Sequence, residues 1–477
     1  MSGGNRWEAS HRDDYFADLL AEPFSDRGLG DVVRFDHSSN LWHVWNGARW
    51  RPDETDLILD MVRDCVEGWI KDDLAMHAGK SVATFSALLN TAKKKSVLEA
   101  LASYRAIAML GDEWDHDPDL LGFENGVLNL RTGVFYHKDH DPKPDPKWLV
   151  SRSTGLEWDD AADQTPFLSF VEDITSHDYD VASYLLKTLG YSLIGSNQEQ
   201  KFWMWVGPGS NGKGILARTV AKALGDYAYS PPSTLYMRTR QGSATANTPR
   251  PELLKLQGAR FTFMSEPDGG QFNEELLKAH TGNDPIEART LYSARYKTFY
   301  PTHKVHFLTN TPPKTDDVGP SMQRRVRIIQ FNEDYSLSSG RADNTLESRL
   351  QTTEAMQGAL VALTTWALTY LQTNDLPEPQ IIQDWSKSYI SDNDPITEFI
   401  KVACVEQMGA TVPGGKLYEA FANFCTGSGY DEMASNTFGR IMGAKYPKKR
   451  VVSGSEYQGI RLKNATDWVS ESSDGAE

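Results

Sequence analysis

The chain has 477 residues, a formal net charge of −16 and a hydrophobic content of 39%, which is enough for about three domains. The acidic balance argues against a wholly basic nucleic-acid coat but leaves room for a local basic site. Three scattered cysteines, Cys65, Cys404 and Cys425, lack metal-ligand spacing and suit structural thiols in a reducing cytoplasm. No apolar signal core or membrane-length run is apparent, so we expect a cytoplasmic protein without a membrane partner.

The predicted elements begin with a mixed region at residues 1–95. Residues 15–20 suit a short helix, and residues 41–50 place aromatic side chains on both sides of Asn46-Gly47, which predicts a β-hairpin. The tryptophans of this hairpin are typical of a core, and stacking on nucleic acid is the alternative.

A helical-and-hairpin domain is predicted at residues 96–165. Residues 54–110 have helical apolar spacing, and the stretch 96–110 is amphipathic. Residues 121–133 then predict a second β-hairpin, with one of its turns at Asn125-Gly126. We expect this domain to precede a catalytic core directly.

A glycine-rich segment lies between the apolar run 202–206 and residues 215–224, which have helical spacing. Strand, glycine-rich loop, Gly-Lys and helix is the order of a phosphate-binding loop, whose backbone N–H groups turn toward phosphate oxygens. Lys213 would reach the β- and γ-phosphates of ATP. The alternative is a turn that binds nothing. The predicted nucleotide-binding residues are Gly207, Pro208, Gly209, Ser210, Asn211, Gly212, Lys213 and Gly214.

Two later strands end in polar residues. Residues 258–265 form an apolar strand followed by Glu266, a carboxylate that can hold Mg²⁺ or polarise an attacking water. Residues 305–309 form another strand, followed by Asn310, whose amide can orient water against the γ-phosphate. The alternatives are an ordinary surface glutamate and an asparagine that caps the next turn.

Gly214 stands where a phosphate-binding loop normally has a serine or threonine that ligates Mg²⁺. Because glycine has no side chain, we expect Mg²⁺ to depend more on the phosphates, water and Glu266.

Two adjacent arginines, Arg324 and Arg325, precede the strand-like segment 326–329. An arginine supplied in trans can stabilise charge on a transferring phosphoryl group. A solvated basic edge is the alternative.

A basic, aromatic hairpin is predicted within residues 277–300. Charge at its tip can hold a nucleic-acid backbone while an aromatic ring packs near sugar or base. The basic residues around this tip are Arg289, Arg295 and Lys297, and the family resemblance described below implies that they contact DNA. A plain β-hairpin is the alternative.

The remaining boundaries follow from composition. We assign residues 166–340 to the ATPase core, 341–391 to a helical connector, 392–463 to a C-terminal unit and 464–477 to a disordered acidic tail.

Within the C-terminal unit, two helices precede a basic hairpin, an order that resembles a winged helix. Lys448, Lys449 and Arg450 are its candidate DNA contacts, and protein docking is the alternative.

In this order and spacing, the motifs resemble superfamily 3 helicases of the AAA+ class, and in particular the phage and plasmid primase-helicase family related to poxvirus primase-helicases. The resemblance covers roughly residues 95–463. It rests on Asn211-Gly212-Lys213, Ser265-Glu266-Pro267, Thr309-Asn310, Arg324-Arg325, the stretch 278–289 and the hairpin segment 125–133. It implies an α/β fold: an AAA+ type P-loop ATPase core, an N-terminal helical and hairpin domain and a C-terminal winged helix.

The resemblance further implies a hexameric ring with ATP sites between subunits. Lys213 and Glu266 would act in cis, Asn310 as the sensor, and Arg324 or Arg325 as the finger from the neighbour. The hairpin at 289–299 would line a channel for single-stranded DNA. The implied activity is an ATP-dependent DNA helicase that replicates a phage or mobile element in the host cytoplasm, with ATP and Mg²⁺.

Two other functions stay open. One is a replication initiator in which ATP drives assembly without processive unwinding, and the other is a small-molecule phosphotransferase. Primer synthesis is not expected, because Asp115-His116-Asp117 lies in a Pro/Asp loop without the flanking strands that a metal-binding carboxylate pair needs.

Overall fold

The computed structural model describes residues 13–22, 28–238, 250–265, 270–289, 296–428, 430, 432–451 and 454–464. Within these ranges the protein is a mixed α/β fold, the class that the sequence predicts. None of the helices in the described ranges combines the length and apolar character that crossing a bilayer requires.

The N-terminal region packs helices against a small sheet. Its elements are α1 (Asp13–Ala21), β1 (Val33–Asp36), β2 (Leu41–Trp45), β3 (Trp50–Pro52), α2 (Leu57–His77), α3 (Val82–Ala87), α4 (Thr91–Leu101) and β4 (Ala108–Met109). The β2–β3 hairpin is confirmed, with Gly47 at φ 94° in its turn. Trp50 is fully buried and its Nε1 donates to Pro146 O at 2.9 Å, so this indole belongs to the core.

The amphipathic stretch at 96–110 is only partly helical, and the prediction of a helix to residue 110 is wrong. Helix α4 ends at Leu101 and the chain returns as β4, which pairs in parallel with β1. Ile107 and Met109 are both buried on that return, at the two-residue spacing of a strand.

A three-stranded antiparallel sheet follows. It consists of β5 (Leu120–Phe123), β6 (Gly126–Asn129) and β7 (Phe135–His137). The predicted hairpin is confirmed, and β7 extends it by one strand. Gly126 must be glycine here, because a Cβ would lie 2.0 Å from Tyr136 O.

The central region is built on a parallel sheet. Its elements are α5 (Thr165–Ile174), α6 (Tyr179–Tyr191), β8 (Phe202–Val206), α7 (Lys213–Leu224), β9 (Ala228–Tyr229), α8 (Pro251–Leu254), β10 (Phe261–Ser265), α9 (Glu274–Thr281), β11 (Ile286–Ala288), β12 (Lys297–Phe299), β13 (Lys304–Thr309), α10 (Pro320–Gln323) and β14 (Val326–Gln330). The sheet order is β14-β8-β13-β10-β9, with parallel pairing throughout. All five carboxyl ends therefore meet at one edge, where open α/β sheets bind ligands.

Strand β8 is buried on both faces, as expected for a parallel sheet covered by helices on both sides. Trp203 and Trp205 join the core formed with α5, α6 and α7. Phe202 and Met204 point the other way, into a second core with Phe307. The continuous apolar run that predicted this strand is the consequence of that double burial.

Three helices continue the chain: α11 (Leu346–Leu350), α12 (Thr353–Thr373) and α13 (Gln380–Asp392). Apart from the last residue of α13, they lie within residues 341–391, where the sequence predicts a helical connector. Thr352 caps α12 by accepting a hydrogen bond from Ala355 N at 3.3 Å. Helix α12 shares the core of α5, α6 and α7, and α13 packs on β14.

The C-terminal unit has its own core. Its elements are α14 (Pro395–Ala403), β15 (Cys404–Pro413), α15 (Gly414–Ser428), α16 (Ser435–Lys445), β16 (Lys448–Val451) and β17 (Gly454–Leu462). The two predicted helices and the hairpin are confirmed. Strand β15 is an addition to the predicted elements; it pairs with β17, so the antiparallel sheet has the order β15-β17-β16 and the basic strand β16 lies at its edge.

Candidate nucleotide site and nucleic-acid surfaces

The loop between β8 and α7 has the form that phosphate binding requires. Gly207 sits so close to Phe331 that a Cβ would lie 2.1 Å from its carbonyl oxygen. Gly212 has φ 89°, and a Cβ there would lie 2.3 Å from Ile174 Cγ2. As the N-cap of α7, Gly212 supplies no side-chain hydrogen bond to the helix start. The N–H groups of the first turn are thus left for an anion.

Lys213 is held inside this loop. Its Nζ donates to Gly207 O at 2.6 Å, to Pro208 O at 3.2 Å and to Asn211 Oδ1 at 3.0 Å, and only 6% of the residue is exposed. Asn211 is in turn anchored by Nδ2, which donates to Phe331 O at 3.0 Å. The ammonium group is therefore aimed at the loop's centre, where phosphate oxygens would replace carbonyl acceptors.

Gly214 lies beside a guanidinium group. A Cβ at this position would lie 2.9 Å from Arg218 Nη1. Arg218 forms a bidentate ion pair with Glu347, at 2.7 Å from Nε to Oε1 and 2.8 Å from Nη2 to Oε2. The Arg218 hydrogen bonds lower the pKa of Glu347. The position after Lys213, where Gly214 lacks a side chain, is therefore next to the positively charged guanidinium of Arg218.

A cleft of about 630 Å³ opens over the loop at the carboxyl edge of the sheet. It brings together residues 209–215, Ser265 at the end of β10, and Thr309 and Asn310 at the end of β13. The Asn310 side chain is exposed, whereas Thr309 is buried and its Oγ1 donates to Thr311 O at 2.6 Å. The structure therefore unites three of the sequence motifs in one cavity.

Glu266 lies outside the described residues, as does Arg295. Ser265, the residue before Glu266, lines the cleft. The roles predicted for these two side chains stay predictions.

The two adjacent arginines differ in their surroundings. Arg325 is 7% exposed and its Nη1 donates to Ser321 O and Ser321 Oγ, both at 2.9 Å. Burial, and then the charge of Arg324, lower the pKa of Arg325. Arg324 is exposed and lines a separate cavity of about 610 Å³ with Arg327 and Lys387. Neither Arg324 nor Arg325 lines the nucleotide cleft of its own chain.

Sequence reasoning missed the opposite wall of the cleft. This wall comes from α5, from α7 and from the chain between β14 and the end of α11: Phe170, Asp173, Ile174, Arg218, Tyr335, Arg341, Asp343, Asn344 and Arg349. Tyr335 N donates to Ser210 O at 2.7 Å, and the Arg341 guanidinium lies 4.6 Å from the centre of the Tyr335 ring. The sequence signal that could have revealed this wall is the pair of opposite charges at Arg341 and Asp343, in a polar stretch that otherwise suggests a linker.

The predicted hairpin of the central region is present as β11 and β12, with Ala288 opposite Lys297. Its tip, 290–295, lies outside the described residues. The Arg289 guanidinium lies 5.6 Å from the ring centre of Tyr296, which is 48% exposed. Lys297 is half-buried, and its Nζ lies 3.0 Å from where a Cβ on Gly111 would stand, so this lysine faces the N-terminal region.

The basic strand of the C-terminal unit is exposed. Lys448, Lys449 and Arg450 are all exposed on the edge strand β16, and Lys448 Nζ lies 5.6 Å from the ring centre of Tyr457. Lys449 stands opposite Glu456 in the register of β16 and β17. The three side chains form one positive edge.

The Asp115-His116-Asp117 segment has structural contacts. Asp115 Oδ1 accepts from Ser151 N at 2.8 Å, and Asp117 Oδ1 accepts from Asp119 N at 2.9 Å. Among the described residues, no group of three or more histidine, cysteine or acidic side chains is arranged to hold a metal ion. The three cysteines are buried, and burial raises their pKa values to about 11 for Cys65 and Cys425 and about 12 for Cys404.

Comparisons with known proteins agree with these motifs. The profile of the family described as "D5 N terminal like" matches residues 14–176, and that of "Poxvirus D5 protein-like" matches residues 391–466. The chain thus has a D5-type N-terminal region and a poxvirus D5-type C-terminal segment. The resemblance to the family related to poxvirus primase-helicases is confirmed.

Three viral relatives illustrate the similarity. Putative helicase L207/L206 of Acanthamoeba polyphaga mimivirus is 33% identical over 224 residues, which are 46% of this chain and 22% of that protein. Putative helicase 022R of Frog virus 3 is 23% identical over 70% of this chain and 41% of its own length. Uncoating factor OPG117 of vaccinia virus is 26% identical over 54% of this chain and 33% of its own. The chain spans less than half the length of each.

A solved structure is also similar. The apo C-terminal region of NrS-1 aligns with 90% of this chain and 96% of its own, at 11% identity and a TM-score of 0.43.

Proposed function

We propose that this chain is an ATP-dependent DNA helicase of superfamily 3 that acts in replication of a virus, phage or mobile element in the host cytoplasm. The observation that supports this most strongly is the single cleft that joins the glycine-rich loop, the end of β10 and Asn310. The names of the viral relatives, putative helicases, agree with it. ATP is the substrate that we assign to the cleft.

The strand order supports an AAA+ type core. Strand β13 lies between β8, which leads into the loop, and β10, which leads into Glu266. The position of β13 sets Asn310 between the glycine-rich loop after β8 and the carboxyl end of β10. Asn310 is then suited to orient a water molecule that Glu266 polarises, while Lys213 binds the β- and γ-phosphates.

The hydrogen-bond donors of the cleft fit a nucleoside triphosphate. A buried ammonium and a helix start without a side-chain cap are both anion-binding features. Mg²⁺ fits as an ion held mainly by phosphates, water and Glu266, because Gly214 has no hydroxyl and Ser265 and Asn310 supply neutral oxygens nearby. When bound, Mg²⁺ neutralises charge on the phosphates.

The arginine pair supports an assembly with sites between subunits, for which we propose a hexameric ring. Arg324 is exposed and lies outside its own cleft, which supports a role in the cleft of a neighbouring subunit. Arg325 is bonded to Ser321 within its own turn. We therefore assign the finger to Arg324 and a supporting role to Arg325.

DNA has two candidate surfaces. One is the β11–β12 hairpin, whose Arg289, Arg295 and Tyr296 would line the ring channel. Lys297, which faces the N-terminal region near Gly111, would have to turn away from that region to contact DNA. The other is the C-terminal unit, whose order of helix, strand, two helices and two hairpin strands fits a winged helix. Its exposed edge of Lys448, Lys449 and Arg450 has the charge for duplex phosphates.

A replication initiator without processive unwinding is the alternative. Gly214 favours it, because a loop without the hydroxyl ligand suits slow turnover. In that case ATP would drive assembly on DNA and the basic edge of β16 would provide most of the binding.

Strand displacement and DNA-stimulated ATP hydrolysis separate these functions. Lys213→Ala should abolish hydrolysis, whereas Lys222→Ala, an exposed lysine on the same helix, should leave it unchanged. A helicase displaces a strand only with hydrolysable ATP and only when Lys213 is present. Hydrolysis and DNA binding without displacement would support the initiator. A wild-type chain with neither DNA binding nor DNA stimulation would refute both.

A further inference from the structure

We propose that Glu274 is a positioning residue that couples the nucleotide cleft to the β11–β12 hairpin. It does so by tying helix α9 to the segment 311–319, named here the linking loop. The inference rests on the proposed function, because it concerns how an ATPase cycle would reach the DNA-contacting hairpin.

The Glu274 carboxylate organises the linking loop. A single oxygen, Oε1, accepts three hydrogen bonds: from Thr315 Oγ1 at 2.7 Å, from Asp316 N at 2.7 Å and from Asp317 N at 2.9 Å. The Glu274 side chain is 12% exposed. Hydrogen bonds to a charged acceptor that is shielded from water are stronger than ordinary surface contacts.

The two segments joined by Glu274 lead to different sites. The linking loop begins directly after Asn310, in the nucleotide cleft, and ends at α10, which precedes Arg324. Helix α9 begins at Glu274 and is followed, after a few residues, by β11 of the hairpin. Backbone hydrogen bonds from Phe272 N to Lys314 O at 3.0 Å and from Lys314 N to Gly270 O at 3.1 Å join the linking loop to the residues just before α9. Glu274 adds a contact from the first residue of α9 itself.

Ion pairs reinforce the same connection. Lys278, one turn further along α9, pairs with Asp317. Arg238, which lies outside α9, bridges the two segments: its Nη1 is 2.8 Å from Asp316 Oδ2 and its Nη2 is 4.0 Å from Glu274 Oε2. These contacts are more exposed than Glu274, so each contributes less to holding the two segments together.

The opposite side of the linking loop rests on α13. Tyr389 OH donates to Pro313 O at 2.7 Å, and Thr315 N donates to Asn393 Oδ1 at 3.1 Å. Tyr389 is buried and α13 packs on β14 of the central sheet. With one side fixed to the sheet, a shift of Asn310 or Arg324 is passed through the loop to α9, provided that Glu274 holds both.

Three variants test the role of Glu274. Glu274→Ala removes the acceptor, Glu274→Gln keeps a neutral acceptor oxygen, and Glu275→Ala removes an exposed carboxylate from the same helical turn as a matched control. Thermal unfolding of each variant identifies any that fail to fold.

Hydrogen exchange provides a measurement that does not depend on activity. In Glu274→Ala we expect the Asp316 amide to exchange about tenfold faster, because the Glu274 acceptor is removed. The Asp317 amide should exchange faster by a smaller factor, because it also donates to Thr315 Oγ1 at 3.2 Å. Glu274→Gln should fall in between, and Glu275→Ala should match the wild type. Adding AMP-PNP should change protection of the hairpin strands in the wild type and in Glu275→Ala but not in Glu274→Ala. Unchanged exchange at Asp316 and Asp317, or an intact hairpin response in Glu274→Ala, would overturn the inference.

Steady-state kinetics adds the functional measurement. In Glu274→Ala we expect basal hydrolysis and the KM for ATP to stay near wild type, while stimulation by single-stranded DNA falls about fivefold, a typical coupling between sites. Full stimulation in Glu274→Ala would refute the coupling. A wild-type chain without DNA stimulation would refute the proposed function instead, and the exchange experiment would still decide the role of Glu274.

Discussion

Arg218 and Glu347 form a bidentate ion pair at the mouth of the nucleotide cleft, with N–O distances of 2.7 and 2.8 Å. The pair joins α7 to α11 one helical turn beyond Gly214. Both side chains are well exposed, at 52% and 37%, so the pair adds at most about 1 kcal/mol to stability. The pair matters for the site because it holds the Arg218 guanidinium beside Gly214, the position where a phosphate-binding loop normally has a serine or threonine hydroxyl.

Gly214→Ser should change the dependence of ATP hydrolysis on Mg²⁺. The new Cβ would lie 2.9 Å from Arg218 Nη1, so the arginine must move, and the added hydroxyl supplies a ligand that this loop lacks. We expect half-saturation at a lower Mg²⁺ concentration, measured by Mg²⁺ titration at saturating ATP. Arg218→Ala alone serves as the control for loss of the ion pair. An unchanged Mg²⁺ requirement in Gly214→Ser would contradict this expectation.

Arg324→Ala and Arg325→Ala should fail in different ways. If Arg324 is the finger, its removal should lower kcat by about 10³-fold with ATP binding retained. Removal of Arg325 breaks two buried hydrogen bonds to Ser321 and should lower the free energy of unfolding by about 1–3 kcal/mol. Turnover and chemical denaturation distinguish the two. The reverse pattern would assign the finger to Arg325.

Gly212→Ala and Gly209→Ala form a matched pair in the loop. Gly212 has φ 89°, and a Cβ there would collide with Ile174 Cγ2. A Cβ on Gly209 would meet nothing within 4 Å. We expect Gly212→Ala to lower the free energy of unfolding by about 1–3 kcal/mol or more, as measured by urea denaturation. Gly209→Ala should change the free energy of unfolding little. Equal stability of the two variants would show that the loop adapts more freely than its packing suggests.

Acid should destabilise the protein below about pH 6.5. Burial lowers the pKa of His280 to about 4 and of His306 to about 3, and lowers that of His303 as well; Arg250 and Lys304 add smaller effects of the same sign. The folded state therefore binds fewer protons than the unfolded state. The stability from neutral histidines is complete above pH 6.5 and falls as pH decreases toward these lowered values, by up to about 1.4 kcal/mol per histidine per pH unit.

Urea denaturation at pH 7.5 and 5.5 checks this dependence. His306→Gln should show a smaller decrease in stability between the two pH values than the wild type, because one of the buried imidazoles is gone. The same decrease in both proteins would mean that His306 does not contribute to the acid sensitivity.

The basic edge of β16 should set the salt dependence of DNA binding. Replacing Lys448, Lys449 and Arg450 by alanine removes three exposed charges. The slope of log K against log salt should become shallower by about 0.7–0.9 for each DNA phosphate that is no longer neutralised. Lys401→Ala, an exposed lysine on α14 of the same unit, is the control. An unchanged slope in the triple variant would point to docking of another protein on this edge.

Much of the central fold could be predicted from local pattern. The apolar runs at β8, β10 and β13 are strands because buried parallel strands need apolar side chains on both faces, and the polar residues that follow them mark the ligand-binding edge. Strand β15 escapes prediction because the exposed residues of 405–411 have no apolar alternation to reveal a strand. Residues 96–110 do not form one continuous helix, because Ile107 and Met109 are buried at the two-residue spacing of a strand and lie beside β1.

Local residue order is enough to predict the glycine-rich loop between strand and helix, the polar strand ends and the basic hairpins, because these depend on residues that are close neighbours in the chain. The burial of Arg325 and the exposure of Arg324 come from three-dimensional packing, since two adjacent arginines have no local difference. Packing also brings Arg341 and Asp343 to the cleft and Glu274 to the linking loop. Glu274 lies about 40 positions before the linking loop, and Arg341 and Asp343 lie more than a hundred positions after the glycine-rich loop. Residues so distant in the chain meet only when the helices pack on the central sheet.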